Sequence, residues 1–132
     1  MSMTASASIG REKYQAQLEV GPHLLIADEP ISAGGGDLGP APGDYLRLAL
    51  AACTTITLRM YSDRKHWNVD KIKVDVTSES VNGKTIFQRS IHIEGSVDEA
   101  QRKQLLKIAN ACPVHKVLTN PIEINTDLLV AS

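Results

Sequence analysis

Two side chains in this 132-residue sequence can do thiol chemistry, Cys53 and Cys112, which lie 59 positions apart (112 − 53). A thiolate is a nucleophile, and two thiols that meet can exchange electrons through a disulfide. Cys112 stands directly before Pro113, in "NACPVHKVLT". Proline is favoured in the first turn of a helix, so the spacing predicts Cys112 as an N-cap facing unpaired backbone N–H groups. That setting favours thiolate, and His115, three residues on, can rise on the same face. The plainer reading is that "CP" starts a helix and the thiol is a small buried hydrophobe. Cys53 sits inside "DYLRLALAACTTITLRMYSDRK", Asp44 to Lys65, with no helix end beside it. Only a nearby cation would lower its pKa, the candidates being Arg11, Arg47, Arg59 and Arg89; otherwise it is an inert core cysteine. Spacing alone leaves both readings of both cysteines open.

Other chemistries find less support. A structural zinc site takes about four ligands, whereas Cys53, Cys112 and His115 make three and His23, His66 and His92 are scattered. No metal or other cofactor is predicted. "GGGDLG" lacks the Lys-Ser/Thr ending of a phosphate loop and follows no strand of a βαβ unit. A net charge of −1 gives no electrostatic footprint for nucleic acid, and 4% aromatic residues give no stacking platform. Arg47 and Arg59 interrupt the longest apolar stretch, which argues against a membrane span. The opening "MSMTASASIG" lacks the charged and apolar regions of a secretory signal. With two cysteines and no export signal, the expected compartment is a reducing cytoplasm.

The elements that must position the thiols follow from pattern. In "KYQAQLEV", Tyr14, Ala16, Leu18 and Val20 alternate with Gln15, Gln17 and Glu19, a half-buried strand that turns at Gly21-Pro22 into a hairpin. The Gly/Pro-rich run Ser32 to Gly43 is a loop. The helix Asp44 to Lys65 carries Leu46, Leu48, Leu50, Ile56 and Leu58 on nearly every face, which predicts burial in a core or an interface. Arg47 is expected to pair with Asp44 at the i,i+3 spacing. Ile72, Val74 and Val76, then Asn82-Gly83, then Ile91 and Ile93 predict a second hairpin. Ser96 and Glu99 suggest a capping box for a helix with Leu105, Leu106, Ile108 and Ala109 as its apolar stripe. A short helix is predicted after Cys112 and a closing strand over "PIEINTDLLV". The order gives an α+β fold, with residues 1–10 a flexible tail and 11–132 a single domain. One sheet covers one side of a helix, so a second copy of the chain is expected to cover the other.

The blocks "GGGDLGPAPGDYLRLALAACTTITLR" and "ACPVHKVL", in that order and about sixty residues apart, resemble the OsmC/Ohr family of thiol peroxidases. The resemblance covers nearly the whole chain after the tail. It implies an intertwined α+β homodimer whose long central helices are wrapped by antiparallel sheet, with sites at the dimer interface. It also implies reduction of organic hydroperoxides, with Cys53 the peroxidatic thiolate, Cys112 the resolving thiol and an external dithiol reducing the disulfide. The hydroperoxide reductases of the family carry a glutamate ten residues before the peroxidatic cysteine, and here that position is Gly43, with Asp44 one place later. One residue on a helix is a rotation of roughly 100°. The family's arginine comes from the N-terminal strands, where Arg11 is the nearest match by location. A non-catalytic redox-sensing dimer, or one holding a small apolar ligand, is the alternative that Gly43 favours.

Overall fold

The computed structural model describes residues 3–131. By contacts the chain forms two compact units, one ending at Leu48 and one beginning at Ala49.

The first unit holds a three-stranded antiparallel sheet in the order β1 (Ala5–Ser8), β2 (Ala16–Val20), β3 (His23–Ala27). The β2–β3 hairpin is the one the alternation predicts, with Ala16, Leu18 and Val20 half-buried and Gln17 and Glu19 exposed. β1 corrects the expectation of a frayed tail. "ASAS" has no apolar alternation, yet its backbone pairs along β2 from Ala5↔Val20 to Ser8↔Gln17. After β3 the chain turns through a short 3-10 helix, Ile31–Ala33, into the Gly/Pro loop. Asp28, 2% exposed, organises that loop. Its carboxylate accepts from the backbone N–H groups of Tyr14 at 3.3 Å, Glu29 at 2.7 Å, Gly36 at 3.3 Å and Leu38 at 3.1 Å. Close approach explains Gly39, where a Cβ would lie 2.5 Å from the Ile26 carbonyl oxygen.

Helix α1, Pro42–Lys65, begins in the first unit, where the Tyr45 hydroxyl donates to the Ile26 carbonyl at 2.7 Å. Asp44 pairs with Arg47, as the spacing predicts. In the second unit, Leu50, Thr54, Leu58 and Ser62 form a buried stripe at intervals of four, one face of a helix of 3.6 residues per turn. Burial is therefore one-sided within the chain. Ile56 and Met60 remain 59% and 62% exposed.

The stripe packs with a two-stranded antiparallel sheet, β4 (Asn68–Val81) and β5 (Lys84–Ser96). Asn82 and Gly83 make the two-residue turn with φ of 52° and 77°, the left-handed conformations that such hairpins need. Leu58, Leu105 and Ala109 form the buried core, with Tyr61, Trp67, Ile72, Ile91, Ile93 and Ile108 packed against it. Tyr61 and Trp67 meet edge to face at 5.5 Å between ring centroids.

Helix α2, Glu99–Ala109, is capped by Asp98 and Gln101 rather than by Ser96 and Glu99. Both pairs have capping-box spacing, but Ser96 is still paired with Asn68 in the sheet, so the helix starts at the later pair. Helix α3, Pro113–Thr119, begins at Cys112 as predicted. The expected closing strand does not form: residues 121–130 have no regular secondary structure. Alternation makes a strand only where an edge is available to pair, and no described strand pairs with this segment. Ile124, Leu128 and Leu129 are 83–89% exposed. No described helix is long and apolar enough to cross a membrane.

Candidate functional site: two cysteines beside the middle of the long helix

Three elements of the second unit converge on the two sulfurs. Helix α1 contributes Thr54 from its buried stripe and Cys53 beside it, half-buried. The turn between α2 and α3 contributes Cys112, with no exposed surface at all. Strand β5 contributes Arg89. Phe87, Arg89, Ile91 and Ile93 share one half-buried face of that strand, while Gln88, Ser90, His92 and Glu94 face outward, the period of two of a pleated strand. An arginine on the inward face of a strand must find acceptors there.

Arg89 finds them on two elements. Its Nη1 donates to Thr54 Oγ1 at 3.1 Å and to the Ala109 carbonyl at 3.3 Å, and its Nη2 donates to Asn110 Oδ1 at 2.8 Å. Thr54, fully buried, donates its own proton to the Leu50 carbonyl at 2.7 Å. The same hydroxyl oxygen lies 4.0 Å from Cys112 Sγ. The guanidinium thus joins α1 to the end of α2, and Cys112 hangs from that junction.

The thiols are unjoined, and Cys112 approaches helix α1 at Thr54, the residue next to Cys53. Cys53 Sγ also contacts Thr57 Oγ1, one turn along, at 3.9 Å. Burial is the largest influence on Cys112 and pushes its pKa up. The His115 backbone N–H, the Cys53 thiol, the Thr54 hydroxyl and the charge of Arg89 together outweigh it and hold the thiol below its usual range. His115 is itself pushed below its ordinary value, by burial first and by Arg89 second, so at neutral pH it adds no charge to the pair. A recess of about 380 Å³ has Leu50, Phe87 and Leu118 among its apolar walls and Arg89, Asn110 and His115 among its polar ones; it adjoins the cluster through Arg89, and neither cysteine lines it.

Of the residues the sequence singled out, Cys53 and Cys112 are brought together. Arg11 and Asp44 belong to the first unit. Arg11 is exposed on the connection between β1 and β2, and Asp44 accepts from the Ala41 N–H at 2.9 Å and pairs with Arg47. The cation of the thiol cluster in the second unit is Arg89, one of four arginines the sequence left as candidates. Its parity with Ile91 and Ile93 was the available signal. Among the described residues, no three or more His, Cys, Asp or Glu side chains gather as a metal site.

The chain is α+β, with antiparallel sheets, a long helix bearing Cys53 and a Cys-Pro turn bearing Cys112. The sequence model of the OsmC-like protein family matches residues 34–127, and the chain belongs to that family. No curated protein sequence matches the chain. Its fold is similar to the OsmC-like protein of Mycoplasma pneumoniae, at 18% identity, with a TM-score of 0.75 and 89% of this chain and 87% of that one covered. It is also similar to the organic hydroperoxide resistance protein OsmC of Legionella pneumophila, at 18% identity and a TM-score of 0.63, with 90% of each chain covered. Bacillus subtilis organic hydroperoxide resistance protein OhrB shares 17% identity at a TM-score of 0.61, over 90% of this chain and 91% of that one. At these identities the likeness is one of fold.

Proposed function

We propose that the chain is a cysteine-based peroxidase that reduces organic hydroperoxides, with Cys53 the attacking thiolate and Cys112 the resolving thiol. The observation that carries this reading is that Cys112, 59 residues from Cys53 in sequence, packs against helix α1 with its Sγ 4.0 Å from the hydroxyl of Thr54, the neighbour of Cys53. Their unequal exposure fits the division of labour: Cys53 is half-buried and Cys112 fully so, so a substrate reaches Cys53 first. Fold relatives named for organic hydroperoxide resistance support the substrate class.

The steps balance. Cys53 thiolate attacks the terminal peroxide oxygen, an S–O bond forms and the O–O bond breaks. The alkoxide leaves and takes a proton to become an alcohol. Cys53 is now a sulfenic acid. Cys112 thiolate attacks the Cys53 sulfur, the S–S bond forms, the S–O bond breaks, and hydroxide leaves as water. The thiol pair has given two electrons to the peroxide, and an external dithiol returns them by exchange. A reducing cytoplasm supplies such dithiols. The resemblance offers Arg11 and Asp44 for the family's cation and acid; Asp44 is held by Arg47, and the cation of the thiol cluster itself is Arg89.

The working unit in this reading is a homodimer. Ile56 and Met60 on α1, and Ile124, Leu128 and Leu129 in the C-terminal segment, leave large apolar side chains 59–89% exposed, and a second copy is the occupant that buries them. Light scattering after gel filtration tests it: a dimer is expected, and Met60→Glu should weaken it.

The activity is tested by steady-state turnover of cumene hydroperoxide with dithiothreitol as reductant. Wild type should turn over and folded Cys53→Ser should not. Gly43 at the family's glutamate position favours a second reading, a redox sensor oxidised once per chain without turnover. A single stoichiometric oxidation, with no steady state in excess dithiol, would select that reading over the enzyme.

A further inference from the structure

We propose that Arg89 is the positioning residue for disulfide closure: by bridging α1 and the end of α2 it holds Cys112 against Cys53, and so governs the second step of the cycle rather than the attack on peroxide. This rests on the thiol-pair reading above and deepens it.

The geometry separates the two steps. Every acceptor of Arg89 lies on the Cys112 side of the site or on the stripe facing it: Thr54 Oγ1, the Ala109 carbonyl and Asn110 Oδ1. Ala109 and Asn110 directly precede the turn that carries Cys112, whose own backbone N–H donates to the Ala109 carbonyl at 3.2 Å. The Ala109 carbonyl is therefore shared between the guanidinium and the cysteine it positions. Cys53 Sγ contacts Thr57 Oγ1, and none of the described hydrogen bonds joins Cys53 to Arg89. Loss of the guanidinium removes the polar tie between Thr54 and the end of α2 while the core packing of Leu58 with Leu105 and Ala109 remains, so the turn that carries Cys112 loosens and Cys53 stays fixed on its helix.

The groups facing Cys112 are Cys53 and Thr54 from α1, Arg89 from β5, and the His115 backbone N–H from α3. His115, held neutral by burial and by Arg89, does not replace the charge. Arg89 thus has two effects of one sign on closure: it shortens the approach of the two sulfurs and favours the thiolate form of the one that attacks. A planar fork with three acceptors on two elements is a role that lysine, a single point donor, fills only in part.

The test is a two-phase oxidation of Arg89→Met, Arg89→Lys and wild type by one equivalent of cumene hydroperoxide, with sulfenic acid trapped by dimedone and disulfide read by mass. In Arg89→Met the sulfenic phase should stay within a few-fold of wild type, because Cys53 keeps its surroundings, while closure slows by roughly ten- to a hundredfold, the usual effect of misplacing a reacting group. Dimedone adduct should accumulate on Cys53. The acid limb of the closure rate should move to higher pH in Arg89→Met and return part of the way in Arg89→Lys, a shift that a purely structural role would not produce. Equal slowing of both phases, or closure unchanged in rate and pH profile, overturns the proposal.

Closure by diamide reads the same step without peroxide. If wild type fails to form sulfenic acid with hydroperoxide, the peroxidase reading fails by itself. Slow diamide closure in Arg89→Met would still support the positioning role, and undiminished diamide closure would refute it. Should Arg89→Met fail to fold, Thr54→Val and Asn110→Ala each remove one acceptor of the guanidinium. Each should slow closure more than the sulfenic phase, and closure at the wild-type rate in both overturns the proposal.

Discussion

Replacing Thr54 by valine isolates the hydroxyl at the centre of the cluster, because the two side chains have nearly the same shape. The side chain is fully buried, so nothing lost there is replaced by solvent. Two hydrogen bonds disappear, together with the long 4.0 Å contact to Cys112 Sγ. The bond to the Leu50 carbonyl at 2.7 Å costs little, since a carbonyl inside a helix keeps its backbone partner. The bond from Arg89 at 3.1 Å is charge-assisted and is the larger loss, about 1.5–3 kcal/mol. Arg89 keeps the Ala109 carbonyl at 3.3 Å and Asn110 Oδ1 at 2.8 Å, so it is not left unpaired. The valine methyl, needing no partner, offsets part of the loss, and the net destabilisation comes to about 1–2 kcal/mol. With a urea slope near 2 kcal/mol/M, the midpoint should fall by about 0.5–1 M with the slope unchanged. The single tryptophan, Trp67, packs on the core and reports the transition by fluorescence; protein concentration must be fixed if the chain is a dimer. The Cys112 thiol pKa, followed by alkylation rate against pH in a Cys53→Ser background, should rise in the valine variant and stay put in Thr54→Ser. A midpoint shift under about 0.2 M, which is under about 0.4 kcal/mol at that slope, together with an unmoved thiol, would refute the hydroxyl's role as the link between Arg89 and Cys112.

Three further perturbations have defined outcomes. Burial pushes the Asp28 carboxyl up, but the N–H groups of Leu38, Glu29, Tyr14 and Gly36 hold it below its ordinary 3.8; its stabilising contribution is present above that value and is lost as pH falls through the lower folded pKa. Urea midpoints measured from pH 5 downward, a range set by roughly that carboxylate window, should therefore fall less steeply in Asp28→Asn than in wild type, and parallel slopes would contradict the assignment. Gly95→Ala places a Cβ 2.2 Å from the Asn68 carbonyl oxygen at a φ of 140°; backbone strain alone should cost about 1–3 kcal/mol, measured by urea unfolding, and a neutral variant would mean the bulged start of β4 adapts freely. Leu58→Ala empties the centre of the core cluster and should cost about 2–5 kcal/mol; less than about 1 kcal/mol by urea unfolding would mean the core collapses around the gap.

How far the sequence could be read depended on whether each feature was local. Cys112 as a helix N-cap follows from its neighbour Pro113, the β4–β5 turn from Asn82-Gly83, and the long helix from its apolar content. β1 was invisible because "ASAS" becomes a strand only by pairing with β2. The cap of α2 was misplaced by two residues because two capping boxes overlap, and only the end of β5 decides between them. The closing strand failed for the opposite reason: its alternation is real, but no described strand pairs with it. Arg89 was hardest to see, since a charged residue in a strand ordinarily faces water. Its position in phase with Ile91 and Ile93 marks it as inward, and its three acceptors on two other elements depend on tertiary structure.

The most direct measurement is peptide mapping of the reduced protein after one equivalent of cumene hydroperoxide, run without reductant. A Cys53–Cys112 crosslink within a single chain, with both thiols lost together, is the predicted result. Disulfides between chains, or Cys53 driven on to sulfinic acid while Cys112 still alkylates, would contradict it.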